Sequence, residues 1–218
     1  MKFRASAIYL VMTLILINAL SGCSSIYRKY GYGELAQSRR IDGKPATPVT
    51  MPSDAPSISQ RFRPVGIADT IGAHNGIDLF VPVGTRVIAA ADGVVRRVSF
   101  SILYGNQIFI DHAKTVEGKL LQTRYFHLDE PWVKAEESVT RGQHIGDSGL
   151  SGLAAGFPHL HFEVHERTLA DGIPSSRVLD PQGYWVDGVG KITCFDAMRQ
   201  WPEPYTLLTY PAPCKNVD

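Results

Sequence analysis

Three cysteines in 218 residues are too few to frame a small disulfide-dense fold. Charge of one sign is also lacking. Lys and Arg total 22 against 21 Asp and Glu, a formal net charge of +1, so no general attraction to nucleic acid follows. No apolar run reaches the ~20 residues that a membrane-spanning helix needs; the longest, from Ala7 to Leu20, holds about 14 and includes Tyr9, Thr13 and Asn18. Outside it no stretch sustains a period of 3.6, which excludes a bundle of long helices. What is present is 44% hydrophobic and 20% charged content with 20 glycines and 14 prolines. That is an ordinary globular composition, with room for one well-packed domain plus appendages.

The chain starts Met1-Lys2-Phe3-Arg4, and its apolar stretch is followed by Ser21-Gly22-Cys23, a secretory signal in outline. Leu20-Ser21-Gly22-Cys23 resembles the lipobox of bacterial lipoproteins, in which the cysteine becomes the acylated first residue. The resemblance implies a signal peptide at 1–22, a lipid on Cys23 and membrane attachment without a transmembrane helix. Ser24 next to that cysteine implies the periplasmic face of the outer membrane. Loss of Lys2 and Arg4 with the signal leaves 20 basic against 21 acidic residues. Cys194 and Cys214 then remain as an even pair in an oxidising compartment and are expected to form a disulfide; two separate buried thiols are the other reading.

Residues 23–57 are polar and aperiodic, with Pro45, Pro48, Pro52 and Pro56 among Ala, Thr and Ser, and read as a flexible linker. From Arg86 short β-branched runs begin. Val87 to Ala91 and Val94 to Val98, separated by Asp92-Gly93, read as two strands of a hairpin. Gln107 to Asp111, Leu120 to His127 and His159 to His165 are further strand candidates between turn clusters. The expected core is therefore mainly β, at 58–180, and 181–218 is expected to be an irregular extension holding both late cysteines.

Seven histidines mean little by number, so spacing has to decide. On a strand, Leu160, Phe162 and Val164 would face a core while His159, His161, Glu163 and His165 face the other way. His159 and His161 would then stand about 7 Å apart, near enough to address one metal and its substrate. In His74-Asn75-Gly76-Ile77-Asp78 a histidine and a carboxylate flank Asn-Gly, a dipeptide suited to a positive-φ turn that brings both to one point. His74, Asp78 and His161 are donors acceptable to zinc, and three protein ligands leave a fourth tetrahedral position open, the catalytic pattern. Each piece alone also has a structural reading: a capping histidine at 74, a solvated pair at 159 and 161, and a satisfied histidine at 127.

Together the pieces resemble the lysostaphin-type (LytM-like) zinc metallopeptidases, which cleave peptide bonds in peptidoglycan. The shared pattern is His-x-Gly-x-Asp at His74 to Asp78, Tyr-x-His-Leu at Tyr125 to Leu128, and Pro-His-Leu-His-Phe-Glu at Pro158 to Glu163. Pro82 to Thr85, Ala90 to Val95, Tyr104 to Asn106 and Gly142 to Gly146 resemble the family's connecting segments. The resemblance implies an antiparallel β-sheet forming a groove, one zinc held by His74, Asp78 and His161, and His127 and His159 as catalytic residues beside it. It also implies peptidoglycan peptides as substrate. The segment Gly149 to Phe157 is longer and more apolar than the family's usual loop, and would bear on specificity. Glu163 could orient a ligand; His112, His144 and His165 read as structural.

The expected function is a zinc endopeptidase cutting peptidoglycan cross-links. The alternative is a catalytically silent module of the same fold that activates a cell-wall amidase. Sequence leaves open which of His127 and His159 moves the proton, and whether an adaptor protein takes part.

Overall fold

The computed structural model describes residues 31–36, 47–64, 72–115, 117–170, 173–202 and 207–215. The expected signal peptide and Cys23 lie outside these. Ten strands carry the fold: β1 (Ile58–Gln60), β2 (Ile77–Leu79), β3 (Arg86–Ile88), β4 (Gly93–Ser101), β5 (Gly105–Lys114), β6 (Leu120–Pro131), β7 (Ser138–Val139), β8 (His144–Ser148), β9 (Leu160–Ala170) and β10 (Ile173–Leu179). Every pairing between them is antiparallel. Among the described residues the only helical turns are short 3-10 pieces at Leu153–Ala155 and Pro181–Gly183. The fold is mainly β, as the short β-branched runs require.

The main path runs β1-β2-β9-β6-β5-β4-β7. β9 is its centre, pairing with β6 along one edge and with β2 and then β10 along the other. Alternation gives each long strand two faces. Leu121, Thr123 and Tyr125 of β6 and Leu160, Phe162 and Val164 of β9 turn into the core. The opposite face, with Gln122, Arg124, His161, Glu163 and His165, carries the polar chemistry.

The core is completed from beyond the strands. Trp185 is 1% exposed and stacks on Phe162 at 6.4 Å between ring centres, with Tyr210 edge-on to it at 5.9 Å. Ile192, Leu208 and Ala212 join the same cluster. The stretch after Asp180 is irregular, but its apolar side chains form part of the core. Cys194 and Cys214 are joined by a disulfide with Cα atoms 5.9 Å apart.

Two expectations are corrected. The hairpin across Asp92-Gly93 does not form: β3 pairs with β8, while β4 pairs with β5 and β7. Ala89, Ala90 and Ala91 are fully buried, so their small apolar side chains serve a crossing through the core instead of a sheet edge. Residues 47–57 are not a free linker. Ala55 is buried, Thr50 N donates to the Gly190 carbonyl at 2.7 Å, and Tyr210 donates its hydroxyl to the Pro56 carbonyl at 2.8 Å. Prolines suit an extended strap of this kind as well as a coil, since neither needs a ladder of amide donors.

Candidate metal centre

Asp78 on β2 lies directly opposite His161 on β9. β2 can approach that closely because position 76 is glycine: a Cβ there would run into the Phe162 carbonyl. Gly76 does not adopt the positive φ expected of it, so close approach is what this position requires. His74 precedes β2 and is fixed by backbone pairing with Arg63. Its Nδ1 sits 2.9 Å from the Arg61 carbonyl and donates to it, which leaves Nε2 facing Asp78 Oδ1 at 3.1 Å. His161 brings Nδ1 to the same carboxylate oxygen at 2.7 Å.

One atom from each of His74, Asp78 and His161 therefore falls within 4.8 Å of the others. For bonds of ~2.0–2.1 Å the edge of a tetrahedron is roughly 3.3 Å, near the 3.1 and 2.7 Å that separate Asp78 Oδ1 from the two histidines, so the donor set fits a zinc ion. Electrostatics agree. Burial alone would raise the Asp78 carboxyl, but its bonds with His161 and His74 outweigh burial and hold it well below the usual carboxylate range. Burial works to lower His161, yet the Asp78 and Glu163 carboxylates prevail and raise it to about 9. The pocket favours positive charge at the point where the three residues meet.

The two remaining histidines reach this point by different routes. β6 pairs with β9 up to Phe126 and with β8 from Leu128. His127 stands at that switch with φ of 61°, a conformation rare outside glycine. Strict alternation would send its ring to the face opposite Phe126; the left-handed backbone turns it back, 4.7 Å from the His159 ring and 6.2 Å from that of His161. His159 is placed just ahead of β9 by pairing with Gly149. Its Nε2 lies 3.7 Å from Asp78 Oδ1.

Both rings are oriented by the long 149–157 loop. His127 Nδ1 donates to the Ser151 carbonyl at 2.9 Å, and His159 Nδ1 donates to the Phe157 carbonyl at 2.8 Å. Each donation leaves an Nε2 lone pair available. Burial lowers the His127 pKa to about 4, so this imidazole is neutral at pH 7. Nothing in the residue types of the loop announces this clamp, because backbone carbonyls supply it.

Behind His161 runs a polar chain. Its Nε2 lies 3.2 Å from Glu163 Oε1, Glu163 Oε2 lies 2.6 Å from His165 Nε2, and His165 Nδ1 lies 2.9 Å from the Ser176 hydroxyl. Burial would raise Glu163, but its bonds to the two histidines lower it to about 2. An ionised Glu163 accepts the Nε2 proton of His161 and so leaves Nδ1 as the nitrogen that would face a metal. The other two histidines stand apart. His112 is buried, donating from Nδ1 to the Asp92 carbonyl at 2.8 Å, and His144 pairs with Asp147 at 2.9 Å while stacking on Trp132.

Residues 72–174 match peptidase family M23. Peptidoglycan DD-endopeptidase ShyC of Vibrio cholerae is 36% identical over 167 residues, which are 73% of this chain and 36% of that one. ShyA of the same organism, also named a peptidoglycan DD-endopeptidase, is 40% identical over 105 residues, 48% of this chain and 23% of that one. The chain thus spans about a third or less of the length of these two relatives. Among solved structures, the catalytic domain of the antimicrobial peptidase lysostaphin from Staphylococcus simulans is similar at 30% identity and a TM-score of 0.44, covering 56% of this chain and 86% of that one.

Proposed function

Since the chain belongs to peptidase family M23, we propose that it is a zinc-dependent endopeptidase that hydrolyses peptide cross-links of bacterial peptidoglycan. The observation that carries this is the convergence of His74, Asp78 and His161 beside two histidines whose Nε2 atoms are unblocked. An intact donor set speaks against the silent amidase activator.

His74, Asp78 and His161 would hold the ion, which when bound supplies a Lewis acid that lowers the pKa of water towards ~7 and polarises the scissile carbonyl. His127 and His159 divide two tasks. One accepts a proton at Nε2 from the attacking water and returns it to the leaving amine. The other, protonated at Nε2, donates a hydrogen bond to the oxyanion as the carbonyl becomes tetrahedral. The Ser151 and Phe157 carbonyls accept from Nδ1 of the two rings, so the base offers a free Nε2 and the oxyanion donor acts as the imidazolium, protonated at both nitrogens.

The proposed location is the periplasmic face of the outer membrane, through a lipid on Cys23. Its support is the Leu20 to Ser24 sequence. A Cys23→Ala variant that still partitions with membranes at unchanged yield would contradict the anchor.

The deciding experiment takes the soluble form starting at Ser24, with a His161→Ala control, and follows zinc content and product release from purified sacculi. Zinc-dependent appearance of new amino termini, absent in the control, is the expected result. Bound zinc without release from several sacculus types would favour the activator.

A further inference from the structure

One step along the sheet from the candidate metal centre, on the same face, a cross-strand row runs Glu163 on β9, Arg124 on β6, Phe109 on β5 and Arg97 on β4. A cavity of about 500 Å³ opens over it, lined by Arg96, Arg97, Phe109, Gln122, Arg124 and Arg167. The Phe109 ring carries two guanidinium groups, Arg124 at 4.7 Å and Arg97 at 5.5 Å from its centre. Phe109 also packs edge-on against Phe126 at 5.8 Å, and Phe126 lies 5.5 Å from the His161 ring. The cavity and the metal centre thus share a continuous floor.

Four arginines gathered in one cavity repel each other unless negative charge arrives. The carboxylates nearby are largely engaged. Asp111 takes Arg167 at 3.1 and 3.2 Å, and Glu163, 4.0 Å from Arg124, is already bonded to His161 and His165. Among the described residues, no carboxylate forms an ion pair with Arg96 or Arg97, both exposed on β4. Planar guanidinium groups suit bidentate capture of carboxylates.

We propose that this cavity is a carboxylate-recognition subsite, taking free carboxylates of an acidic cell-wall peptide whose scissile bond lies over the metal centre. The proposal rests on the peptidase reading above. Its spacing is specific. Arg124 stands opposite Glu163, two residues along β9 from His161, or about 7 Å, a distance that an extended substrate also covers in two residues. A carboxylate about two positions from the cleaved bond therefore meets Arg124, and one further out meets Arg96, Arg97 or Arg167. Cell-wall peptides supply such groups, because γ-linked glutamyl and diaminopimelyl residues each leave a carboxylate free.

The test uses two synthetic cross-linked peptides, identical except that these carboxylates are free in one and amidated in the other. The zinc-loaded protein should favour the free form about tenfold or more in kcat/KM, as expected for hydrogen bonds to charged groups. In an R97Q/R124Q variant that ratio should fall to near one, and in R96Q/R97Q, confined to exposed positions, it should fall in part. Equal hydrolysis of both peptides by the unmutated protein overturns the subsite and leaves the peptidase standing. If neither peptide is cut, calorimetry with the same pair decides: tighter binding of the free form, lost in R97Q/R124Q, upholds the subsite while the peptidase falls. Equal binding in that case overturns both.

Discussion

Asp78 and His161 face each other across paired strands, Oδ1 to Nδ1 at 2.7 Å, so one register of β2 on β9 sets two of the three donors. His74 adds the third from outside that register. Replacing His74, Asp78 or His161 by Ala should abolish zinc retention after dialysis. His127→Ala and His159→Ala should retain zinc and lose turnover by about 10²–10⁴-fold, the usual range for a general acid or base. Metal analysis beside an assay of sacculus hydrolysis separates the two sets; equal zinc loss in both would refute the division.

Glu163 acts through His161. Glu163→Gln keeps the size but removes the charge that fixes the ring's tautomer, and should weaken zinc affinity about 10–100-fold with the fold retained. Competition against a chelator measures this. Unchanged affinity would mean that His161 needs no such partner.

His112 ties stability to pH. Burial depresses it to about 4, from an ordinary 6.5, while it donates to the Asp92 carbonyl and faces the Thr123 hydroxyl at 2.8 Å. Between these values the unfolded chain binds the proton and the folded one does not. Stability is then full above about pH 6.5 and declines as pH falls towards 4, by up to about 3 kcal/mol from this group. Urea midpoints of the protein and a His112→Gln variant, taken across that window, should diverge in slope.

Gly152 holds the clamp on His127. Its φ is 84° and a Cβ would meet the Gly105 amide, so Gly152→Ala must displace the loop at the residue after Ser151, whose carbonyl holds His127 Nδ1. Destabilisation of about 1–3 kcal/mol is expected, with turnover falling while zinc stays bound. A variant as active as its parent would show that the loop does not orient the histidine.

The Cys194–Cys214 bond closes a separation of 20 residues. A Cys194→Ser/Cys214→Ser pair should lose about 3 kcal/mol in the chain-entropy description, read as a lower urea midpoint. No shift would mean that packing around Tyr210 already fixes the segment.

Much of the site was legible because its parts are short and periodic. His159, His161, Glu163 and His165 stand at alternate positions, and alternation alone puts them on one face. His127 was legible only by resemblance, since its ring is turned by a left-handed backbone that strand alternation does not contain. The hairpin at Asp92-Gly93 misled because Ala89 to Ala91 look as apolar as a strand, whereas burial from all sides suits a crossing segment. The arginine cavity draws Arg96, Arg97, Arg124 and Arg167 from three strands, a gathering that only the sheet order creates.

Trp185 bears on how far this protein can be shortened. The ring that it covers belongs to Phe162, the immediate neighbour of His161, so the tail props the strand on which the chemistry stands. A fragment cut where the family likeness stops, at 174, would keep every candidate site residue and bare the underside of β9 to water. Such a piece would be sticky before it was active. Anyone grafting this domain onto another carrier must therefore move head and tail together, because it is not a detachable cassette.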